Sequence, residues 1–150
     1  MRVLIQRVSK AAVHIEGAEK AAIGKGLLLL IGIEEADDKE DADWLCGKVA
    51  RMRIFPDQDG VMNKSIQEVA GELLVISQFT LHATTKKGNR PSYYKAAQPD
   101  KAIPLYEYFL EKLWHVADLP VKSGEFGADM KVELINDGPV TIWLDSKNKE

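Results

Sequence analysis

Two short segments of the sequence have residue types that could do chemistry, Ser77-Gln78-Phe79-Thr80 and Asn136-Asp137-Gly138-Pro139. The first follows the apolar run Leu73–Ile76, and open α/β sheets bind ligands where buried strands end. A strand end also leaves main-chain N–H groups unpaired, so this segment could present donors to a developing oxyanion. In the second segment, glycine reaches backbone angles closed to other residues, while proline fixes φ and removes a donor. This segment is therefore rigid main chain with carbonyls available to a ligand, although an ordinary hairpin turn is the alternative interpretation.

The familiar catalytic motifs are absent from the chain. There is no Gly-x-Ser-x-Gly elbow, no His-Glu-x-x-His pair, no paired cysteines and no phosphate-binding glycine loop. Among the three histidines, only His82 lies beside the candidate site, and it is the one considered for proton transfer. Cys46 is expected to be an inert buried thiol. The sequence predicts neither a metal site nor a cofactor.

Charge is distributed unevenly along a chain whose formal net charge is −3. The stretch from His82 to Pro99 contains no Asp or Glu but includes four cations, Lys86, Lys87, Arg90 and Lys95. Such a loop, directly after the first candidate segment, could hold an RNA phosphate backbone. The alternative is a solvated surface loop.

Length and composition indicate one soluble globular domain spanning residues 1–150. The chain is 45% hydrophobic and 29% charged, and no apolar run approaches the length of a membrane span. No secretory signal is visible at the start, and a single cysteine fits a reducing compartment. A cytoplasmic location is therefore expected.

Hydrophobic periodicity predicts an α/β fold with the order β-β-β-α-β-α-β-β. Strands are expected over residues 3–15, 20–23, 27–33, 73–79, 131–135 and 140–144, with the last two forming a closing strand pair and Phe79 packing in the core. One helix should begin near Asp37, and a second should span about residues 100–116 with Pro104 in its first turn. Two helices cannot cover both faces of so much sheet. We therefore expect a three-layer α/β/β arrangement, with sheet packed on sheet and the two helices outside.

Taken together and in order, these segments resemble the D-aminoacyl-tRNA deacylases over essentially the whole chain. The resemblance is carried by Met1–Val8, Ser77–Leu81, Lys87–Tyr93, Phe126–Met130 and Gly138-Pro139. It implies the three-layer architecture and hydrolysis of the ester of D-aminoacyl-tRNA, and of mischarged glycyl-tRNA, as a proofreading activity. A non-catalytic module that binds RNA or a nucleotide, and a hydrolase of small D-amino acid esters, are the alternatives.

The resemblance also assigns residues. It implies that Ser77, Gln78, Phe79 and Thr80 line the catalytic pocket, with the amides of Gln78 and Phe79 near the scissile ester and the substrate's 2′-hydroxyl assisting. The Thr80 hydroxyl is the second-ranked candidate, as a nucleophile. Gly138-Pro139 would enter the active site of the partner in a homodimer, held by Arg7 and Met130. Whether that peptide bond is cis is left open, as is the effect of Asp129, where an apolar residue is expected.

Overall fold

One long strand, β1 (Arg2–Ile15), organises the fold in a computed structural model that describes residues 1–150. One edge of β1 pairs antiparallel with β8 (Met130–Asp145) along its whole length. The other edge is shared by β3 (Gly26–Gly32), which pairs with the first half of β1, and β2 (Ala18–Ile23), which pairs with the second half. Beyond β3 lie β6 (Glu72–Ser77) and β7 (Val121–Ser123), both parallel to their neighbours.

The remaining elements are two helices, a small hairpin and one 3-10 turn: α1 (Lys39–Arg51), β4 (Phe55–Pro56) with β5 (Met62–Lys64), the turn Phe79–His82, and α2 (Pro99–Ala117). The first helix begins at Lys39, and its N-cap is Asp38, one residue after the predicted Asp37. The Asp38 side chain forms a capping box with Asp41. The second helix agrees with its prediction, but Pro104 lies beyond the first turn. Pro104 has no N–H to donate to the carbonyl of Asp100, and Asp100 is an exposed residue, so water can take the place of that donor.

The central strands β3 and β6 are buried on both faces, as their continuous apolar runs predict. Alternate residues, among them Leu29 and Val75, join a core cluster with Leu45 of α1 and Phe109 of α2. The intervening residues, among them Leu28, Leu74 and Ile76, join a second cluster with Val8, Ala11 and Val13 of β1. The mixed α/β class with two helices is therefore confirmed, and the detailed layer order remains a prediction.

The predicted closing strand pair is wrong, because residues 131–135 and 140–144 belong to one continuous strand, β8. Both halves pair with β1. The pairing register shifts opposite Gln6–Lys10, where the Asn-Asp-Gly-Pro segment interrupts the regular ladder. The Asn136 side chain repairs the local loss of ladder bonds: its Oδ1 accepts from the Val140 N–H at 2.9 Å, and its Nδ2 donates to Thr141 Oγ1 at 2.8 Å. The hairpin interpretation fails because β1 is long enough to pair with both halves.

Neither helix combines the length and the apolarity needed to span a bilayer.

Candidate active site

The carboxyl ends of β3 and β6 open into a cavity of about 320 Å³. Ser77, Gln78 and Phe79 form one side of it, and the segment Phe126–Met130 forms the other. Apolar side chains, including Ile31 and Ile76, line its depth. Three of the four residues predicted as catalytic thus line the cavity, and Thr80 follows them directly in the chain, at the switch between sheet and loop that favours ligand binding.

The turn that follows β6 decides which main-chain donors are available. The Gln78 N–H donates to the Ile31 carbonyl at 2.7 Å, so it is not free to bind an oxyanion, contrary to the sequence-based expectation. Phe79 and Thr80 are the first residues of the 3-10 turn, whose bonds run from Leu81 N–H to the Gln78 carbonyl and onward. No side chain caps this turn, so the Phe79 and Thr80 amides have no acceptor within it. These two N–H groups are the donors that the site offers.

The Thr80 hydroxyl is occupied by its neighbour. The side-chain amide of Gln78 donates to Thr80 Oγ1. Neither a carboxylate nor an imidazole contacts this hydroxyl among the side-chain hydrogen bonds of the chain. A threonine nucleophile needs such a base to become reactive. The Thr80 hydroxyl therefore has no activating base beside it, and its ranking as the second candidate nucleophile stays a prediction.

Phe79 does not pack in the core, and this part of the prediction is wrong. Its side chain is 55% exposed and meets Tyr93 edge-on, with ring centroids 5.1 Å apart and an interplanar angle of 75°. Phe79 turns outward because the space beneath the turn is filled by Leu81 and His82. Sequence reasoning did not assign Tyr93 a contact with Phe79, although an aromatic residue at the end of the basic loop was a usable signal.

The 3-10 turn packs directly against Gly32, the last residue of β3. A Cβ added there would lie 2.9 Å from Leu81 Cβ, 3.0 Å from His82 Cδ2 and 3.1 Å from the Gln78 carbonyl oxygen. His82 is only 1% exposed and does not line the cavity. It lies behind the turn rather than in front of it, so proton transfer to a substrate, the role considered from the sequence, has no geometric support.

The segment carrying Gly138-Pro139 is fixed by Arg7, whose residue exposure is 8%. Arg7 Nε donates to the Asp137 carbonyl at 3.0 Å, and Nη1 donates to the Ile54 carbonyl at 2.5 Å. The Gly138-Pro139 peptide bond is cis, which answers the question left open by the sequence. Both residues are exposed and lie outside the cavity of their own chain.

Met130 does not meet this segment within one chain. It lies at the start of β8, on the cavity wall, and its sulfur packs against Gly124. Asp129, beside it, reaches the cavity rim and pairs with Lys131 at 2.8 Å while its side chain is 87% exposed. Arg7 therefore lies beside the exposed Gly138-Pro139 segment, whereas Met130 lies in the cavity. Within one chain, only Arg7 is placed to hold the segment.

Lys86, Lys87 and Arg90 lie on an exposed loop that begins directly after the turn. The base of the loop is closed by Thr84 and Ser92, whose main chains exchange hydrogen bonds of 2.7 and 2.9 Å. None of the three cations is held in an ion pair with an acidic side chain. Their charge is therefore available to an anionic partner beside the cavity.

Comparison with known proteins identifies the family. The family profile described as D-Tyr-tRNA(Tyr) deacylase matches residues 4–145. The chain belongs to this family. A protein of Bacteroides fragilis (strain YCH46) named D-aminoacyl-tRNA deacylase is 65% identical over 150 residues, which is all of both chains. A Flavobacterium johnsoniae protein of the same name is 62% identical with the same coverage.

Solved structures agree with the fold. The c-Myc DNA Unwinding Element Binding Protein superposes with a TM-score of 0.91 and 38% identity, over 97% of this chain and 98% of that one. A structure described as a probable eukaryotic D-amino acid tRNA deacylase gives a TM-score of 0.80 at 19% identity, over 95% and 97%, and supports the fold alone. With the family established, the chain is a hydrolase that acts on aminoacyl-tRNA.

Proposed function

We propose that this hydrolase cleaves the ester of D-aminoacyl-tRNA and of glycyl-tRNA, spares the L-aminoacyl esters, and does so with main-chain groups. The observation that carries the proposal is the pair of amides without an acceptor in the turn, that of Phe79, which lines the cavity, and that of Thr80, the next residue. A tetrahedral intermediate places negative charge on the former carbonyl oxygen, and each aligned donor there contributes about 2.7–4 kcal/mol. An aminoacyl ester is already activated, so two donors and good positioning account for a large part of the rate.

The substrate supplies what the protein lacks. Because Thr80 Oγ1 is engaged by Gln78 and His82 lies behind the turn, no side chain is placed as a general base. We assign the assisting group to the 2′-hydroxyl of the terminal ribose. A substrate ending in 2′-deoxyadenosine should then be cleaved far more slowly at unchanged affinity. Thr80→Val should retain most activity, whereas loss to background with an intact fold would restore Thr80 as the nucleophile.

The RNA end is held outside the cavity by two kinds of contact. The exposed Phe79–Tyr93 pair offers an aromatic face on which a base can stack, a contact worth about 1–3 kcal/mol. Lys86, Lys87 and Arg90 take the phosphates. Replacing all three by glutamine should raise KM and flatten its salt dependence by about two to three in the log–log slope, while kcat stays near wild type. An unchanged slope would remove this loop from the interface.

Chirality is sorted by the Gly138-Pro139 segment of a second subunit. Both residues are exposed and outside their own cavity, so a substrate in one cavity can meet this segment only from another copy. Trp143, 47% exposed, and the half-buried Leu4 lie opposite each other on the same face of β8 and β1, and offer apolar surface for that contact. A wall of fixed main chain rejects the L side chain by a clash that it cannot relieve, whereas glycine passes.

Mixing two variants tests this arrangement. Gly138 has φ +134°, and an added Cβ would lie 2.8 Å from Val140 Cγ2, so Gly138→Ala should disable the segment. Gly32→Ala should disable the turn. If the sites are shared across a two-fold dimer, co-refolded variants should regain roughly a quarter of wild-type activity, because half the dimers are mixed and each holds one intact site. Recovery no greater than the sum of the separate variants, or a monomer by light scattering, would exclude the shared site.

The central assay compares release of tyrosine from D-tyrosyl-tRNA, L-tyrosyl-tRNA and free D-tyrosine ethyl ester, with glycyl-tRNA as a fourth substrate. The proposal predicts rapid cleavage of the D and glycyl substrates and negligible cleavage of the other two. Comparable cleavage of L-tyrosyl-tRNA would contradict chiral selection. Equal rates on the free ester would contradict the need for RNA. Such a proofreading activity belongs where tRNA is charged, in the cytoplasm.

A second candidate function is nucleic-acid binding without hydrolysis. It is favoured by the name of the 38% identical solved structure, which describes binding to a DNA unwinding element, and by the unpaired cations of the 86–90 loop. It predicts salt-dependent binding of uncharged tRNA or DNA with no ester cleavage at saturating enzyme. Cleavage of D-tyrosyl-tRNA under those conditions would exclude it as the sole function.

A further inference from the structure

His82 is the most deeply buried polar side chain near the active site, and none of the steps above uses it. Its exposure is 1%, and neither ring nitrogen has a hydrogen-bond partner. Buried polar atoms are nearly always paired, so two unpaired nitrogens on one ring are a costly exception. An uncharged imidazole tolerates that position, whereas an imidazolium would bury an unpaired charge.

The position of the ring connects this exception to the catalytic turn. His82 is the last residue of the 3-10 turn, and its Cδ2 would lie 3.0 Å from a Cβ on Gly32. Arg2 holds the same end of the turn, because its Nη1 donates to the Leu81 carbonyl at 2.8 Å. The ring is therefore packed between the end of β3 and the turn that presents the Phe79 and Thr80 amides.

The charged groups around the ring act in both directions. Burial lowers the pKa of His82. The Gly32 main chain raises it, although no hydrogen bond of normal geometry forms between Gly32 and the ring. The Arg2 guanidinium and the N-terminal ammonium lower the pKa further, while the Glu34 carboxylate raises it. The net direction favours the uncharged ring at neutral pH.

We propose that His82 is a positioning residue, holding the 79–82 turn in its active geometry only while its ring is uncharged. Protonation drives the ring toward solvent, and because the ring is wedged under the turn, the two oxyanion donors move with it. Activity should therefore fall on the acid side of neutrality through His82 rather than through a group that touches the substrate. This inference depends on the proposed oxyanion role of the turn.

The sign of the linked stability change follows from the direction of the shift. Between the lowered pKa of the folded state and the ordinary value of about 6.5, the unfolded chain binds more protons at His82 than the folded chain does. Stability therefore falls as pH drops below about 6.5 and levels off below the folded-state pKa. His82→Phe keeps a ring of similar size, removes both unpaired nitrogens and removes this pH dependence.

The test is the pH profile of kcat for D-tyrosyl-tRNA, from pH 5 to 8, for wild type and His82→Phe. We expect wild-type kcat to fall about tenfold per pH unit on its acid limb, and the limb to disappear in His82→Phe with Tm unchanged or higher. The chain has two other histidines, so His115→Gln, at an exposed helix end, is the matched control and should keep the wild-type profile. An NMR titration of the His82 ring should give the same midpoint as the kinetic limb.

Three results separate the possibilities. An identical acid limb in wild type and His82→Phe overturns the positioning role. If His82→Phe does not fold, an NMR midpoint that differs from the wild-type kinetic limb overturns it, and a matching midpoint supports it. If wild type shows no deacylation at any pH, the proposed function itself fails, and that outcome is distinct from an active enzyme with an unaltered limb.

Discussion

Gly32→Ala is the perturbation that most directly tests how the catalytic turn is held. The added methyl would lie 2.9 Å from Leu81 Cβ and 3.1 Å from the Gln78 carbonyl oxygen, atoms that no rotamer change can move. Carbon atoms in contact prefer separations of about 3.5–4.0 Å, so the turn must retreat by roughly 0.5–1 Å. A misplacement of about 1 Å can cost up to about 100-fold in rate. We expect kcat to fall about 10- to 100-fold, or roughly 1.4–2.7 kcal/mol, with about 1–3 kcal/mol of lost stability from overpacking.

The assay is single-turnover hydrolysis of D-tyrosyl-tRNA at saturating enzyme, paired with urea unfolding of the same preparation. Gly24→Ala is the matched control, because no atom lies within 4 Å of its added Cβ and its rate should be that of wild type. A folded Gly32→Ala protein with wild-type kcat would refute the reasoning. So would a change confined to KM, since the donors act on the transition state.

Three further outcomes follow from other contacts. Arg7→Lys keeps the charge but cannot donate from two nitrogens, so it should lower the free energy of unfolding in urea by about 1–3 kcal/mol and lower the ratio of D- to L-tyrosyl-tRNA cleavage. An unchanged ratio would show that Arg7 does not act through the segment at Asp137. Burial raises the pKa of Cys46 to about 12, so iodoacetamide at pH 8 should label it only on unfolding, and rapid native labelling would contradict its burial. Although burial opposes it, the hydrogen bond from Lys147 helps to hold the pKa of Asp41 at about 2. This contribution is fully present above pH 3.8 and is lost as pH falls through 2. Lys147→Met should therefore cost about 1–2 kcal/mol in denaturant unfolding at pH 7 and clearly less near pH 2; an equal cost at both would exclude the charge effect.

Local patterns were sufficient for most of the elements. The apolar run at 27–33 predicted β3 correctly, because a strand buried on both faces does not alternate apolar with polar residues. The three- and four-residue steps beginning at Ala42 gave α1, with its cap displaced by one residue. Segments 77–80 and 138–139 were also singled out locally, because their residue types are unusual for the interior and end of strands, and their roles remain predictions.

What the sequence could not supply depends on distant partners. Residues 131–144 look like a hairpin locally, yet β1 pairs with both halves, and only the length of β1 decides between the two. The Gln78 amide looked available until the Ile31 carbonyl was placed opposite it. Phe79 was assigned to the core on hydrophobicity, whereas the turn above Gly32 directs it outward. In each case a contact across the sheet overrides a local preference.

The unbroken course of β8 has a consequence for how this chain can vary. Its first residues form the cavity wall, and the exposed Gly138-Pro139 segment lies further along the same extended strand. Gaining or losing a single codon between Val132 and Asn136 would invert inward and outward positions and move the segment by about 3.3 Å. Related chains should therefore show substitutions between residues 132 and 136 but no insertions or deletions there.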